Sequence, residues 1–129
     1  MLKILLTGAF IAIASNAFAF ELSFNWDGLQ LCDSGSPNTV GNPEFTLTDV
    51  PEGTTFIRFK MVDKAVPGYN HGGGLVAYNG EKTIPAGVFT YKSPCPPGMV
   101  HPYEWSATAQ SKKNGGKLGV AKAQRDYPE

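Results

Sequence analysis

His71 and His101 are the only histidines of this 129-residue chain, and Cys32 and Cys95 its only cysteines. Imidazole, thiol and carboxylate groups bind metals, carry protons and attack acyl carbons, so chemistry is sought among them first. The positions of the four match no zinc pattern, in which ligands come in close pairs. Ser34 and Ser36 in CDSGSP do not form the G-x-S-x-G elbow of a hydrolase. A His and an Asp without a nucleophile cannot run acyl transfer. A glycosidase carboxylate pair needs a cleft, for which so short a chain has little room. Gly72-Gly73-Gly74 could form an anion-binding nest, but no helix start or Lys follows, and a flexible loop is expected instead. The chain therefore reads as a protein that is not an enzyme, with no cofactor and no metal.

The first nineteen residues, MLKILLTGAFIAIASNAFA, carry one positive charge at Lys3. An apolar run from Ile4 to Ala14 follows, then Ala17-Phe18-Ala19 with small residues where a signal peptidase looks. The expectation is a secretory signal peptide over residues 1–19, cleaved after Ala19. The run falls short of the ~20 apolar residues of a membrane span. One domain over 20–129 remains, secreted or periplasmic, with no transmembrane span. In an oxidising compartment an even pair of cysteines tends to close, so a Cys32–Cys95 disulfide is expected. Two separate buried thiols are the alternative.

Lys plus Arg and Asp plus Glu number 11 each. Without a basic excess, a nucleic-acid partner held by phosphate neutralisation is excluded. Fifteen Gly and ten Pro suit a small β protein with many turns and not a helical bundle.

The elements that must position the candidate groups are short strands. Phe20, Leu22, Phe24 and Trp26 alternate with polar residues, as do Phe45 and Leu47, and Ile57, Phe59 and Met61. Leu75–Tyr78, Val88–Tyr91 and Leu118–Ala121 add three more runs. Tyr103, Trp105, Ala107 and Ala109 alternate with Glu104, Ser106, Thr108 and Gln110, the cleanest strand of all. Asn79-Gly80 and Asn114-Gly115 read as hairpin turns and Pro51-Glu52-Gly53 as another turn. Residues 122–129 read as a fraying tail. Seven short strands predict an antiparallel sandwich or barrel with Phe45, Ile57, Phe59, Tyr103 and Trp105 inside.

Three blocks carry a family resemblance. Asn42-Pro43-Glu44-Phe45 through Val50-Pro51-Glu52-Gly53-Thr54, preceded by Cys32-Asp33, is the first. Val62-Asp63-Lys64-Ala65-Val66-Pro67 is the second. Tyr91-Lys92-Ser93-Pro94-Cys95-Pro96-Pro97-Gly98 with His101-Pro102-Tyr103-Glu104-Trp105 is the third and most specific. In order and spacing they resemble the phosphatidylethanolamine-binding protein family, the Raf-kinase-inhibitor-like proteins, in its bacterial form.

The resemblance implies an all-β, antiparallel Greek-key sandwich with a small anion or phosphoester pocket at one end. Carried over residue by residue, Asp63 matches the first Asp of D-P-D-x-P, Pro67 its Pro, and His101 the His of H-R. Tyr91, Pro94 and Pro96 belong to the loop that would wall the pocket. Three family groups are missing. The second Asp is Ala65, the strand His falls on Gly74, and the Arg after His101 is Pro102. A longer insertion before the Tyr91 block is absent as well. Pro offers no donor where a guanidinium would offer a fork, so anion affinity should be weakened. His71, three residues before Gly74, is either a displaced pocket ligand or an exposed loop residue; the second is expected.

Two functions follow. One is an exported binding protein with a weakened pocket for a small anionic or phosphoester ligand. The other is a non-catalytic structural or protein-interaction sandwich that has lost the pocket and meets a protein partner at the cell envelope.

Overall fold

The computed structural model describes residues 7–9 and 19–129. The signal peptide read over 1–19 therefore lies almost wholly outside the described residues. Nine strands follow in chain order: β1 Glu21–Ser23, β2 Thr39–Gly41, β3 Phe45–Thr48, β4 Phe56–Asp63, β5 Gly73–Ala77, β6 Thr83–Ile84, β7 Thr90–Lys92, β8 His101–Lys112 and β9 Gly115–Tyr127. Among the described residues there is no helix, and so none long and apolar enough to cross a membrane.

All strand pairs are antiparallel. They form a four-stranded sheet β5-β4-β8-β9, a three-stranded sheet β1-β3-β6 and a two-stranded sheet β2-β7. Period-two alternation decides which side of the large sheet is apolar. Along β4 it turns Ile57, Phe59 and Met61 inward, and along β8 Tyr103, Trp105, Ala107 and Ala109, all buried. The smaller sheets cover that face. Phe45 of β3 stacks on Phe59 with ring centroids 4.4 Å apart and meets Trp105 edge-on at 5.0 Å. Tyr91 of β7 closes on Trp105 at 4.8 Å, in the edge geometry aromatic pairs prefer. The five core residues expected from the alternation, Phe45, Ile57, Phe59, Tyr103 and Trp105, are each 0–1% exposed.

Cys32 and Cys95 form a disulfide, with Cα atoms 4.7 Å apart and 63 residues between them in sequence. A bond of this kind points to a compartment outside the reducing cytoplasm. Backbone bonds run beside it: Asn38 N–H donates to the Ser93 hydroxyl at 3.0 Å, Ser93 N–H to the Asn38 carbonyl at 2.8 Å, and Gly98 N–H to the Asp33 carbonyl at 3.1 Å.

Two local expectations are corrected, and two short strands went unread. The tail does not fray: β9 continues to Tyr127, which is buried. The segment before β2 holds it, because Tyr127 Oη accepts the Cys32 N–H at 2.8 Å and Arg125 Nε donates to the Phe24 carbonyl at 2.6 Å. Asn79-Gly80 is not a hairpin turn. It links β5, paired to β4, with β6, paired to β3, and so passes between sheets. The strands β2 and β6, three and two residues long, have too few alternations to be read from sequence. A hairpin does join β8 and β9 here, but its turn residues are Lys113 and Asn114, and Gly115 already faces Lys112 as the first residue of β9.

Candidate functional site

The inner rows of β4 and β8 end in polar residues at the same edge of the large sheet. Alternation continues from Met61 to Asp63 along β4, and from Tyr103 back to His101 along β8. Asp63 is the register partner of Tyr103, so His101 stands diagonally beside it on the same face. Their side chains meet: His101 Nδ1 donates to Asp63 Oδ2 at 2.8 Å. The other oxygen, Oδ1, accepts the N–H groups of Ala65 at 2.9 Å and Val66 at 3.2 Å. The carboxylate thus shapes the turn after β4 and holds the imidazole at once.

A cavity of about 140 Å³ opens at this end. Asp63, His101 and Tyr103 come from the large sheet, and Val66, Tyr69 and His71 from the loop between β4 and β5. Gly35 and Pro37 face Cys95, Pro96 and Pro97 across the disulfide. Gly35 has φ of 83°, and a Cβ there would stand 3.3 Å from the Pro97 side chain, so glycine fits this wall on both counts.

Burial pushes the Asp63 carboxyl up. The His101 bond, the Ala65 and Val66 amides and the His101 charge outweigh it and hold the group below the usual carboxylate range. Burial first, and then the Asp63 charge, raises the Tyr103 phenol well above the ordinary tyrosine range, which keeps its proton in place. His71 Nδ1 donates to the Lys92 carbonyl at 2.7 Å, while the His71 carbonyl accepts the Lys92 N–H at 2.8 Å. Among the described residues no Lys or Arg lines the cavity, and Lys64 pairs with Glu104 at 3.7 Å. The cationic groups available to an anion there are the imidazoles in their protonated form.

Of the residues singled out for the pocket, Asp63, His71, His101 and Pro96 line one cavity. His71 is 3% exposed, which corrects the expectation of an exposed loop residue. The Lys92 bond and the rings of Tyr69 at 4.6 Å and Tyr103 at 5.6 Å draw it in. Tyr91 and Pro94 are not at this cavity. Tyr91 is core against Trp105, and Pro94 is packed inside the chain. Tyr69 and Gly35 went unread in the sequence, since neither lies in a periodic segment. Tyr103 was read as core, and it both packs inside and floors the cavity.

No protein-family model matches the sequence, and no curated protein matches it significantly. Solved structures do. A phosphatidylethanolamine-binding-protein homologue of Chlamydia trachomatis superposes with a TM-score of 0.58 at 15% identity, covering 88% of this chain and 99% of that one. YbcL of Escherichia coli, described as a new member of the mammalian family of such proteins, gives 0.59 at 19%, covering 84% of this chain and 97% of its own. The chain has the phosphatidylethanolamine-binding-protein fold. On that fold the departures read from the sequence have physical reasons. A Cβ on Gly74 would lie 2.3 Å from Cγ of Phe89, whose ring stacks near Phe59 at 5.7 Å. A Cβ on Gly73 would lie 1.8 Å from the Phe59 carbonyl oxygen. Neither position can carry an imidazole, and His71 brings one to the cavity from the loop ahead of the strand. Pro102, on β8 beside His101, keeps a backbone role by accepting the Lys64 N–H at 2.8 Å.

Proposed function

We propose that this chain is a small exported, non-catalytic binding protein, secreted or periplasmic, whose end cavity takes a phosphate or phosphoester group weakly. The observation that carries the reading is the gathering of both histidines, the Asp63–His101 pair among them, on one cavity at the stapled end of the sandwich. An imidazolium beside a fixed carboxylate, with a protonated phenol and nearby amides, can hold a small anion. The missing guanidinium makes that hold weak. The leader-like residues 1–19 and the disulfide support export. Titration of the purified protein with phosphoethanolamine and with inorganic phosphate, followed by amide NMR, tests the reading. Signals of residues 63–71 and 95–103 should move together.

The size of the cavity narrows the ligand, and a structural role is the second reading that the titration tests. About 140 Å³ is below the ~300–1,000 Å³ of pockets for drug-sized ligands. The space suits a phosphate-sized group and not a whole lipid headgroup with its glycerol. On this second reading the chain is a structural or protein-interaction sandwich at the envelope, and the same titration leaves every amide signal unmoved.

A further inference from the structure

A second cavity, of about 830 Å³, shares no lining residue with the end cavity. Its size falls within the ~300–1,000 Å³ of ligand pockets. Two runs of chain supply most of its wall, residues 25–30 and residues 38–43, the second containing β2. The first run is fixed in place. Leu29 N–H donates to the Trp26 carbonyl at 3.0 Å, Trp26 Nε1 to the Asp126 carbonyl at 2.9 Å, and Tyr127 Oη to the Gln30 carbonyl at 3.3 Å. The second run has an open edge. Asn38 and Asn42 bond across to Ser93 and Phe89, so Thr39 and Gly41 turn their N–H and C=O groups away from β7. No other strand lies beside β2 among the described residues.

Tyr91 and Ser93 also line this cavity. Tyr91 is 5% exposed, and its hydroxyl has no hydrogen-bond partner among the described residues. Trp105 Nε1 is the one sealed polar atom left unpaired there, so the Tyr91 hydroxyl opens to the cavity. Burial raises this phenol well above the ordinary tyrosine range, so it keeps its proton and can donate. Ser93 Oγ accepts the Asn38 N–H at 3.0 Å, and its own hydrogen is unspent. Among the described residues no Lys, Arg or His lines the cavity, and Asp27 is the one charged side chain in the lining. Lys92 Nζ is spent on Thr39 Oγ1 at 2.9 Å. Such a wall does not attract anions, and it offers donors and acceptors together. An added peptide strand would use the free edge of β2. Alternation makes 37, 39, 41 and 43 the outward positions, however, and Pro37 and Pro43 have no N–H to give. A hydroxyl-rich ligand suits scattered groups better, since each hydroxyl both donates and accepts.

We propose that this cavity binds an uncharged saccharide, held by the Tyr91 hydroxyl, the Asp27 carboxylate and the free edge of β2. The exposed part of the half-buried Trp26 ring gives the sugar's C–H groups an apolar surface. The site does not depend on the phosphoester reading, because the two cavities have no residue in common.

The test is amide NMR of the purified protein titrated separately with maltotriose, cellotriose and triacetylchitotriose. At least one should move the signals of residues 25–30, 38–43 and 91–93 together and leave residues 63–71 and 95–103 unmoved. Phosphoethanolamine should do the reverse, so failure at one cavity is read apart from failure at the other. Tyr91→Phe keeps the ring against Trp105 and removes the hydroxyl, and should weaken saccharide binding by about three- to tenfold, the worth of one hydrogen bond. Asp27→Ala changes an exposed residue, so its thermal midpoint should match the parent while affinity falls by about tenfold or more, as for a charged hydrogen bond. Unmoved signals with all three saccharides, or parental affinity in both variants, would overturn the proposal. So would the same signals moving for a capped hexapeptide of alternating Thr and Val and for none of the saccharides, which would make β2 a site of strand addition.

Discussion

Asp63 and His101 are 38 residues apart in sequence and 2.8 Å apart in space. The two facts have one cause. Each residue occupies the last inward position at the same edge of adjacent strands, so period-two alternation and the Asp63–Tyr103 register deliver them to each other.

The pair makes stability depend on acid. Asp63 titrates below its ordinary range in the folded chain. Its contribution is therefore complete above the unfolded carboxyl pKa of ~3.9 and is lost as pH falls through the lower folded value. Urea midpoints measured from pH 7 to pH 2 should drop below about pH 4. Asp63→Asn should cost about 2 kcal/mol near neutrality, the scale of a charged hydrogen bond, and should show a shallower acid limb. An acid limb as steep as the parent's would mean that other carboxylates dominate.

Trp105 is wholly buried, and its Nε1 is the one buried side-chain polar atom without a partner among the described residues. Trp105→Ala should cost ~3–5 kcal/mol, enough to unfold a marginal domain. Trp105→Phe removes the unbonded N–H with much of the ring kept, and should cost less than half as much in chemical denaturation.

Opening the Cys32–Cys95 bond should lower stability by roughly 4 kcal/mol on chain-entropy grounds, given 63 residues of separation. Hydrogen exchange in the Cys32→Ala/Cys95→Ala variant should rise first at residues 33–38 and 93–98, the walls that the bond ties together. Uniform loss of protection would show that the bond serves the whole fold and not this end of it.

Putting the family imidazole back should fail. Gly74→His drives a side chain into Phe89. Destabilisation of about 1–3 kcal/mol by overpacking is expected, with no gain in phosphoester affinity. Tighter phosphate binding in that variant would show that position 74 tolerates an imidazole and presents it to the cavity.

Much of this was legible in the sequence, and the rest was lost for identifiable reasons. The long strands were readable because each buries one face, which writes a period of two into β4 and β8. Asp63 and His101 came from the resemblance, which put them on loops; they stand instead at the ends of those same rows, one alternation beyond the residues that marked the core. His71 was misjudged because its neighbours are glycines, which look mobile in sequence. Here Gly73 and Gly74 are demanded by close backbone and ring approach, and they press the loop inward. The end of β9 was misjudged because residues 122–129 are polar, whereas Tyr127 is held by bonds to residues 30 and 32, about a hundred positions away. No local pattern encodes such a contact. Tyr91 and Pro94 came with a motif and not with a face, and they landed in the core.

The most direct test of the cavity as an anion site is the phosphoethanolamine affinity of the parent protein beside that of His101→Ala. Because no guanidinium lines the cavity, a dissociation constant in the millimolar range is expected, roughly −4 kcal/mol. His101→Ala should abolish the NMR shifts in residues 63–71 and 95–103 while the remaining spectrum stays folded. Binding that survives unchanged in His101→Ala, or that moves signals only elsewhere on the chain, would contradict the account.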